Sequence, residues 1–177
     1  MDILKIKGLK GKPAVLDNNI ICDFIELGCI EILNKVFSKI LIPESIYEDE
    51  IRQLDAQHLL KVEYELTSFS SAAAHCLFHK ISNSTKRLSD YDIEVIVIAH
   101  EKAVLCTSNE KKIKEICEEY NIEHTGTVGI LCCCFEQNIL SEAEFSRLII
   151  TLFTECTCRL SPKLKEQIFK QYPFIGQ

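Results

Sequence analysis

Short unbroken apolar runs alternate along this chain with longer stretches whose apolar residues recur every three or four positions. The most informative stretch is residues 88–110, LSDYDIEVIVIAHEKAVLCTSNE. It opens on Ser89-Asp90-Tyr91-Asp92 and runs through Ile93, Val95, Ile96, Val97, Ile98 and Ala99, interrupted only by Glu94. A helix apolar on nearly every side is expected to lie inside a domain, covered by other elements. Residues 103–106 then predict a strand that breaks into the polar turn Thr107-Ser108-Asn109-Glu110. Ser89 with Asp92, and Thr107 with Glu110, have the spacing of capping boxes.

The same alternation orders the rest of the chain. Residues 13–16 predict a first strand, ended by Asp17-Asn18-Asn19, any of which can cap the next helix. One helix is expected over residues 20–37, on Ile20, Ile21, Phe24, Ile25, Leu27, Ile30, Leu33 and Phe37, with Asp23, Glu26, Glu31 and Lys35 as its polar positions. Residues 39–42 predict a second strand, stopped by Pro43. A helix on Ile46, Tyr47, Ile51 and Leu54 begins at once and carries Glu48-Asp49-Glu50. Residues 61–70 predict a strand or extended segment, 72–81 a helix and 83–87 a loop. Residues 111–120 predict an amphipathic helix with Ile113, Ile116 and Cys117 inward, and 122–124 a short last strand. Gly126 to Gly129 form a turn into an apolar helix ending near Gln137. Ser141 and Glu144 make a third capping box, for a helix on Phe145, Leu148, Ile149, Leu152 and Phe153. Ser161-Pro162 opens a last helix to Gln171, with proline at its favoured first position. Strands alternating with helices predict an α/β fold around a mainly parallel sheet with right-handed crossovers.

Composition changes this picture little and charge somewhat more. At 177 residues, 47% hydrophobic and 26% charged, the chain has the make-up of one globular domain. No apolar run approaches a membrane span, and MDILKIKGLKGKP lacks the continuous apolar segment of a secretory leader. A cytoplasmic protein with no membrane partner is the expectation. The formal charge of −6 argues against broad electrostatic binding of nucleic acid. It does not argue against a nuclease, whose carboxylates gather cations into the site. Basic residues cluster at Lys5, Lys7, Lys10 and Lys12, at Lys80, Lys86 and Arg87, and at Lys111, Lys112 and Lys114; solvated faces account for most of them. The ten cysteines read as reduced thiols, without the paired CxxC spacing of a zinc site. Cys132-Cys133-Cys134 would fan onto different faces of a helix and are read as small buried hydrophobes. His75 and His79 stand one helical turn apart and could share a metal, but no third ligand accompanies them.

Polar positions with metal-binding side chains recur at equivalent places: Asp17 after the first strand, Asp49 in the helix after the second, Asp92 at the head of the buried helix, and Asn109 with Glu110 after the strand at 103–106. In a parallel sheet such positions can converge on one edge. Converging oxygen ligands hold Mg2+ or Mn2+, which activates water and neutralises charge on a phosphodiester under attack. Helix capping is the plainer account of any single one of these acids.

In AVLDNN, ILIPESIYEDEI, LSDYDIEVIVIA, CTSNEKKIKEIC and NIEHTGTVGIL the chain resembles the PIN-domain ribonucleases over nearly its whole length. FIELGCIEILNKVF and RLSPKLKEQIFKQY are similar to the subgroup with extra C-terminal helices. The resemblance implies a three-layer α/β fold, a central mainly parallel sheet flanked by helices. It implies a single domain over residues 1–177, with a core of about 13–140 and a C-terminal helical extension of about 141–172. It also implies a Mg2+- or Mn2+-dependent endoribonuclease that hydrolyses RNA with a metal-activated water, as the toxin of a toxin–antitoxin pair. Its partners would be a small antitoxin and a second copy in a homodimer. Residue by residue, the resemblance makes Asp17 the principal metal ligand and Asp92 the second. It puts Asp49 where the family usually has Glu, with Glu48 and Glu50 as rivals in register. At the fourth position the family commonly has an aspartate after the threonine. Here Ser108-Asn109 stand, with Glu110 next, so the fourth ligand is either the Asn109 amide oxygen or Glu110. A neutral ligand contributes less charge and holds the cation more weakly. The alternative is therefore a catalytically weakened PIN fold that binds nucleic acid or protein. Glu94 is either an outer carboxylate of the site or a salt-bridging residue.

Overall fold

The computed structural model describes residues 6–52, 56–157 and 160–176. Leu54 of the expected helix, Lys5 and Cys158 lie outside the described residues. Five short strands form one all-parallel sheet in the order β3-β2-β1-β4-β5. They are β1 (Pro13–Leu16), β2 (Lys39–Pro43), β3 (Glu65–Thr67), β4 (Leu105–Thr107) and β5 (His124–Thr125). Ala14, Val15 and Leu16 are wholly buried because β1 is central and helices cover both faces of the sheet. That is why the strand reads as an unbroken apolar run and not as an alternation. β2 continues through Pro43, which is its last paired residue, opposite Thr67. The chain winds outward from β1 to β2 and β3, returns to set β4 on the other side of β1, and continues outward to β5. The carboxyl ends of β1 and β4 therefore flank the point where the winding reverses, the usual ligand crevice of such sheets.

The helix expected over residues 20–37 is broken. α1 (Asn18–Glu26) ends at Gly28, whose φ is +67°. The Gly28 N–H donates to the Ile25 carbonyl at 2.9 Å and the Cys29 N–H to that of Phe24 at 3.0 Å, the two bonds of a Schellman stop. A 3-10 turn (Ile30–Ile32) and α2 (Leu33–Val36) follow. Apolar spacing continues through the break and hides it.

β2 leads into α3 (Glu44–Ile46), which widens at once into a π-helical turn, Tyr47–Ile51. The cause lies in the apolar spacing. Ile46 and Ile51 are both buried, 0% and 1% exposed, yet five steps of about 100° in an α-helix would set them about 140° apart. One extra residue in the turn brings both inward.

After α4 (Ala56–Leu59) and β3, α5 (Ala72–Ser84) lies on α6 (Asp90–Lys102), and α6 lies on β1, β2 and β4. Held between the sheet and another helix, α6 buries Ile93 and every residue from Val95 to Ala99. That position accounts for its all-round apolar character. Ser89 and Asp92 form the expected capping box. Thr107 and Glu110 do not form theirs. Thr107 belongs to β4 and its hydroxyl donates to the Val15 carbonyl at 3.0 Å, while Glu110, at the head of α7 (Lys111–Glu119), makes no side-chain cap. α8 (Thr127–Glu136) begins directly after Gly126, so Gly129 lies inside the helix; a Cβ there would come within 2.3 Å of Thr125 Oγ1. α8 packs against α1, α2 and α9 (Glu142–Thr154), and Cys132, Cys133 and Cys134 are all buried although they fan around it. The Ser141–Glu144 box opens α9, and Ser161 caps α10 (Pro162–Gln171). Among the described residues no helix is long and apolar enough to cross a membrane.

Candidate active site

Asp17 leaves β1 where the winding reverses, and as the residue after a central strand it is only 4% exposed. Its N–H donates to the Thr107 carbonyl at 3.3 Å, extending the β1–β4 ladder by one residue. Its carboxylate Oδ2 accepts from Ser108 Oγ at 2.8 Å and from Asn19 Nδ2 at 3.4 Å. Burial, and with it the nearby charge of Asp92, pushes the Asp17 pKa up to about 6, against the opposing pull of the Ser108 and Asn19 hydrogen bonds. A carboxylate so placed is short of positive charge.

Asp92 stands in the first turn of α6. Its Oδ2 accepts from both the N–H and the hydroxyl of Ser89, each at 2.8 Å. The capping account of this residue therefore holds, and Asp92 still faces the same cleft as Asp17. Asp49 rides on the π turn, where its Oδ2 accepts from the Tyr91 phenol at 3.0 Å; this acceptor raises the Tyr91 pKa. Of its two neighbours, Glu48 pairs with Arg52 and Glu50 lines the cleft beside Asp49. Asp17, Asn18, Asn19, Cys22, Asp49, Glu50, Ser89, Tyr91 and Asp92 together line a cleft of about 510 Å³, within the size range of small-molecule sites.

Asn109 and Glu110 do not line this cleft. Asn109 is held instead by α1 and the head of α8. Its Nδ2 donates to Asp23 Oδ2 at 2.7 Å and to Thr127 Oγ1 at 2.9 Å, and its Oδ1 accepts the Thr127 N–H at 3.1 Å. Gly126 makes that approach possible, since a Cβ there would meet Asn109 Oδ1 at 2.5 Å. Glu110 is exposed, and its N–H donates to Ser108 Oγ at 3.1 Å. Glu94 lies off the cleft as well. It accepts from Ser45 Oγ, joining α6 to α3, and burial raises its pKa. His75 and His79 are exposed on α5, beside Phe69 and Phe78 respectively.

Two residues gain roles that reasoning from sequence did not assign. Asp23, read only as a polar position of a helix, is 4% exposed and accepts from Asn109 and Thr127. The available signal was its place three residues after Ile20 and four before Leu27, on the inward side of α1. Ser108, read as part of a turn, is the principal partner of Asp17. No spacing rule reports that, because the contact crosses from one strand end to the next.

Among the described residues, no three Asp, Glu, His or Cys side chains stand close enough to hold an ion by themselves. The cleft's donors are oxygens apart from Cys22, which suits a hard cation. Mg2+ commonly takes one or two carboxylates and completes its shell with water and substrate phosphate, and Asp17 with Asp92 fits that arrangement.

A family model described as a PIN domain, DUF3368, matches residues 13–173. No curated protein and no solved structure matches the chain. PIN domains are generally nucleases, they bind nucleic acid, and they typically use divalent metals. The match runs from the first residue of β1 to just beyond α10, and the chain belongs to the PIN-domain family.

Proposed function

We propose that this PIN domain is a Mg2+- or Mn2+-dependent endoribonuclease that hydrolyses RNA phosphodiester bonds in the cleft bordered by Asp17, Asp92 and Asp49. The observation that carries the reading is Asp17 itself. A carboxylate 4% exposed, with its pKa raised to about 6 and Asp92 nearby, would be stabilised by a cation that Asp17 and Asp92 help to hold. Such a cation supplies Lewis acidity, activating water and offsetting phosphodiester charge. The chain's own residues do the positioning. Ser108 and Asn19 both donate to Asp17 Oδ2, which leaves Oδ1 for a ligand. The Ser89 box engages Asp92 Oδ2 in the same way. Tyr91 holds Asp49 at the cleft rim. In this reading the protein works in the cytoplasm as the toxin of a toxin–antitoxin pair, with a small antitoxin and a second copy of the chain as partners.

The test is cleavage of a mixed set of structured and unstructured RNAs by the purified protein with Mn2+, beside Asp17→Asn. Cleavage should require Mn2+ and fall by about 100-fold or more in the variant, since even the outer partners of metal ligands are worth about 10- to 100-fold. Equal cleavage by the two proteins would falsify the mechanism.

One observation favours a second reading, a PIN fold that binds nucleic acid or protein without efficient cleavage. Of the two candidates for the fourth position, Asn109 is neutral and engaged with Asp23 and Thr127, and Glu110 is exposed and does not line the cleft. No cleavage by either protein, with no Asp17-dependent gain in Tm on adding Mn2+, is the outcome that reading expects.

A further inference from the structure

Residues 66–88 contain no Asp or Glu, in a chain that has 26 of them and a net charge of −6. The stretch runs from β3 through the whole of α5 to the loop that ends at Ser89, on the rim of the acidic cleft. Its cations Lys80, Lys86 and Arg87 are exposed. Lys7, Lys12, Lys39, Arg52, Lys111 and Lys112 each lie within ion-pair distance of a glutamate. Among the described residues Lys86 and Arg87 meet no carboxylate in that way, and Lys80 lies over the Tyr120 ring at 5.2 Å.

The face has aromatic character too. Phe69 and Phe78 are half-buried and stacked at 5.6 Å, and exposed His75 stands edge-on to Phe69 at 4.9 Å. Acids border it at both ends, where Glu65 and Asp90 are exposed, and along its side. Glu101 accepts the N–H groups of Ser70 and Ser71 at the head of α5, and Glu119 lies near Lys80.

We infer that the exposed face of α5 and the loop after it form a track for single-stranded nucleic acid that leads to the cleft at Asp92. For its destination this rests on the nuclease reading above; for its existence it rests on the charge pattern. A strand approaching a chain of net negative charge meets less repulsion along a segment that carries three exposed cations and no acid of its own. Cations that are not already neutralised by a partner release counterions when a phosphate arrives. Half-buried Phe69 and Phe78 add ring surface to the same segment, on which a base can stack without regard to sequence. At 1.5 Å per residue α5 gives the track a length of roughly 20 Å.

The test uses the full chain in EDTA, so that binding is read without cleavage. Fluorescent fifteen-nucleotide single strands of RNA and of DNA are titrated at several salt concentrations. Three proteins are compared: the parent, the triple reversal Lys80→Glu, Lys86→Glu and Arg87→Glu, and the control Lys111→Glu with Lys112→Glu on α7. A milder pair, Lys86→Ala with Arg87→Ala, guards against misfolding of the reversal. The reversal should weaken binding by about tenfold or more and reduce the salt slope by about 2, at roughly 0.7 for each phosphate no longer neutralised. The control should change affinity less than about twofold, and the milder pair should fall between the two. The inference is overturned if the parent binds neither strand, if both reversals weaken binding equally, or if the α5 reversal binds like the parent. The nuclease reading fails separately: binding lost in the α5 reversal, with no Asp17-dependent cleavage in Mn2+, keeps the track and removes the enzyme.

Discussion

The burial of Asp17 has a stability cost that Asp17→Asn should relieve. Its pKa rises from 3.8 to about 6 on folding, so the native state holds this proton more tightly than the unfolded chain does. Its contribution therefore favours the native state fully below pH 3.8, declines as pH rises towards 6, and is lost above that. The difference of about two pKa units corresponds to about 3 kcal/mol at neutral pH. Asparagine is isosteric and its amide oxygen can still accept from Ser108, so most of that cost should be recovered. A net gain of about 2 kcal/mol is expected, a rise in Tm of roughly 4–8 °C for a chain of this size. The assay is thermal unfolding of parent and Asp17→Asn in EDTA at intervals from pH 4 to 7.5. The gap should be small at pH 4, open through pH 6 and then level off. Mn2+ should close it by stabilising the parent alone, by about 2.7 kcal/mol when the ion is at a hundred times its Kd. A gap that does not change with pH, or a variant less stable than the parent at pH 7.5, would refute the claim that Asp17 is destabilised by burial and by Asp92.

Other perturbations follow from the same geometry. Asn109→Asp would put a second carboxylate against Asp23, now 2.7 Å from the amide nitrogen. Stability at neutral pH should fall by about 3 kcal/mol and recover as the pair takes up a proton on acidification, which Tm measured against pH reads directly. Gly126→Ala would drive a Cβ to 2.5 Å from Asn109 Oδ1 and 3.1 Å from the Ser108 carbonyl. It should cost about 1–3 kcal/mol in urea unfolding, the usual range for overpacking. Cys76 is exposed whereas Cys132, Cys133 and Cys134 are buried, and burial pushes the Cys132 pKa up to about 12. A thiol reagent at neutral pH should therefore label Cys76 in the native protein and the three α8 cysteines only after unfolding, as read by peptide mass spectrometry.

The parts of this fold that were legible in the sequence are those set by local chemistry. β1 could be placed from four residues because a central parallel strand needs no alternation. α6 announced itself by being apolar on all sides, and the Ser89 and Ser141 boxes fixed two helix starts. What stayed hidden depends on contacts between distant segments. The break at Gly28 was masked because α1 and the turn after it bury residues in one continuing apolar series. Thr107 and Glu110 matched a capping box by spacing, yet Thr107 was needed by the sheet. At the site, the family resemblance brought attention to Asp17, Asp49 and Asp92, and these line one cleft. The direction of Asn109 was not legible, since it follows from Asp23 on α1 and the glycine at the head of α8. Neither is near it in sequence.

The π turn makes the acidic rim adjustable by length as well as by substitution. Ile46 and Ile51 are five residues apart and both face the core. Removing any one of Glu48, Asp49 or Glu50 would leave them four apart, the spacing an ordinary α-helix places on one face. The core would keep its two isoleucines while the carboxylates presented to the cleft shifted in register. A deletion that would misalign most helices should thus be accommodated here, with one acid exchanged for another at the rim above the same two isoleucines.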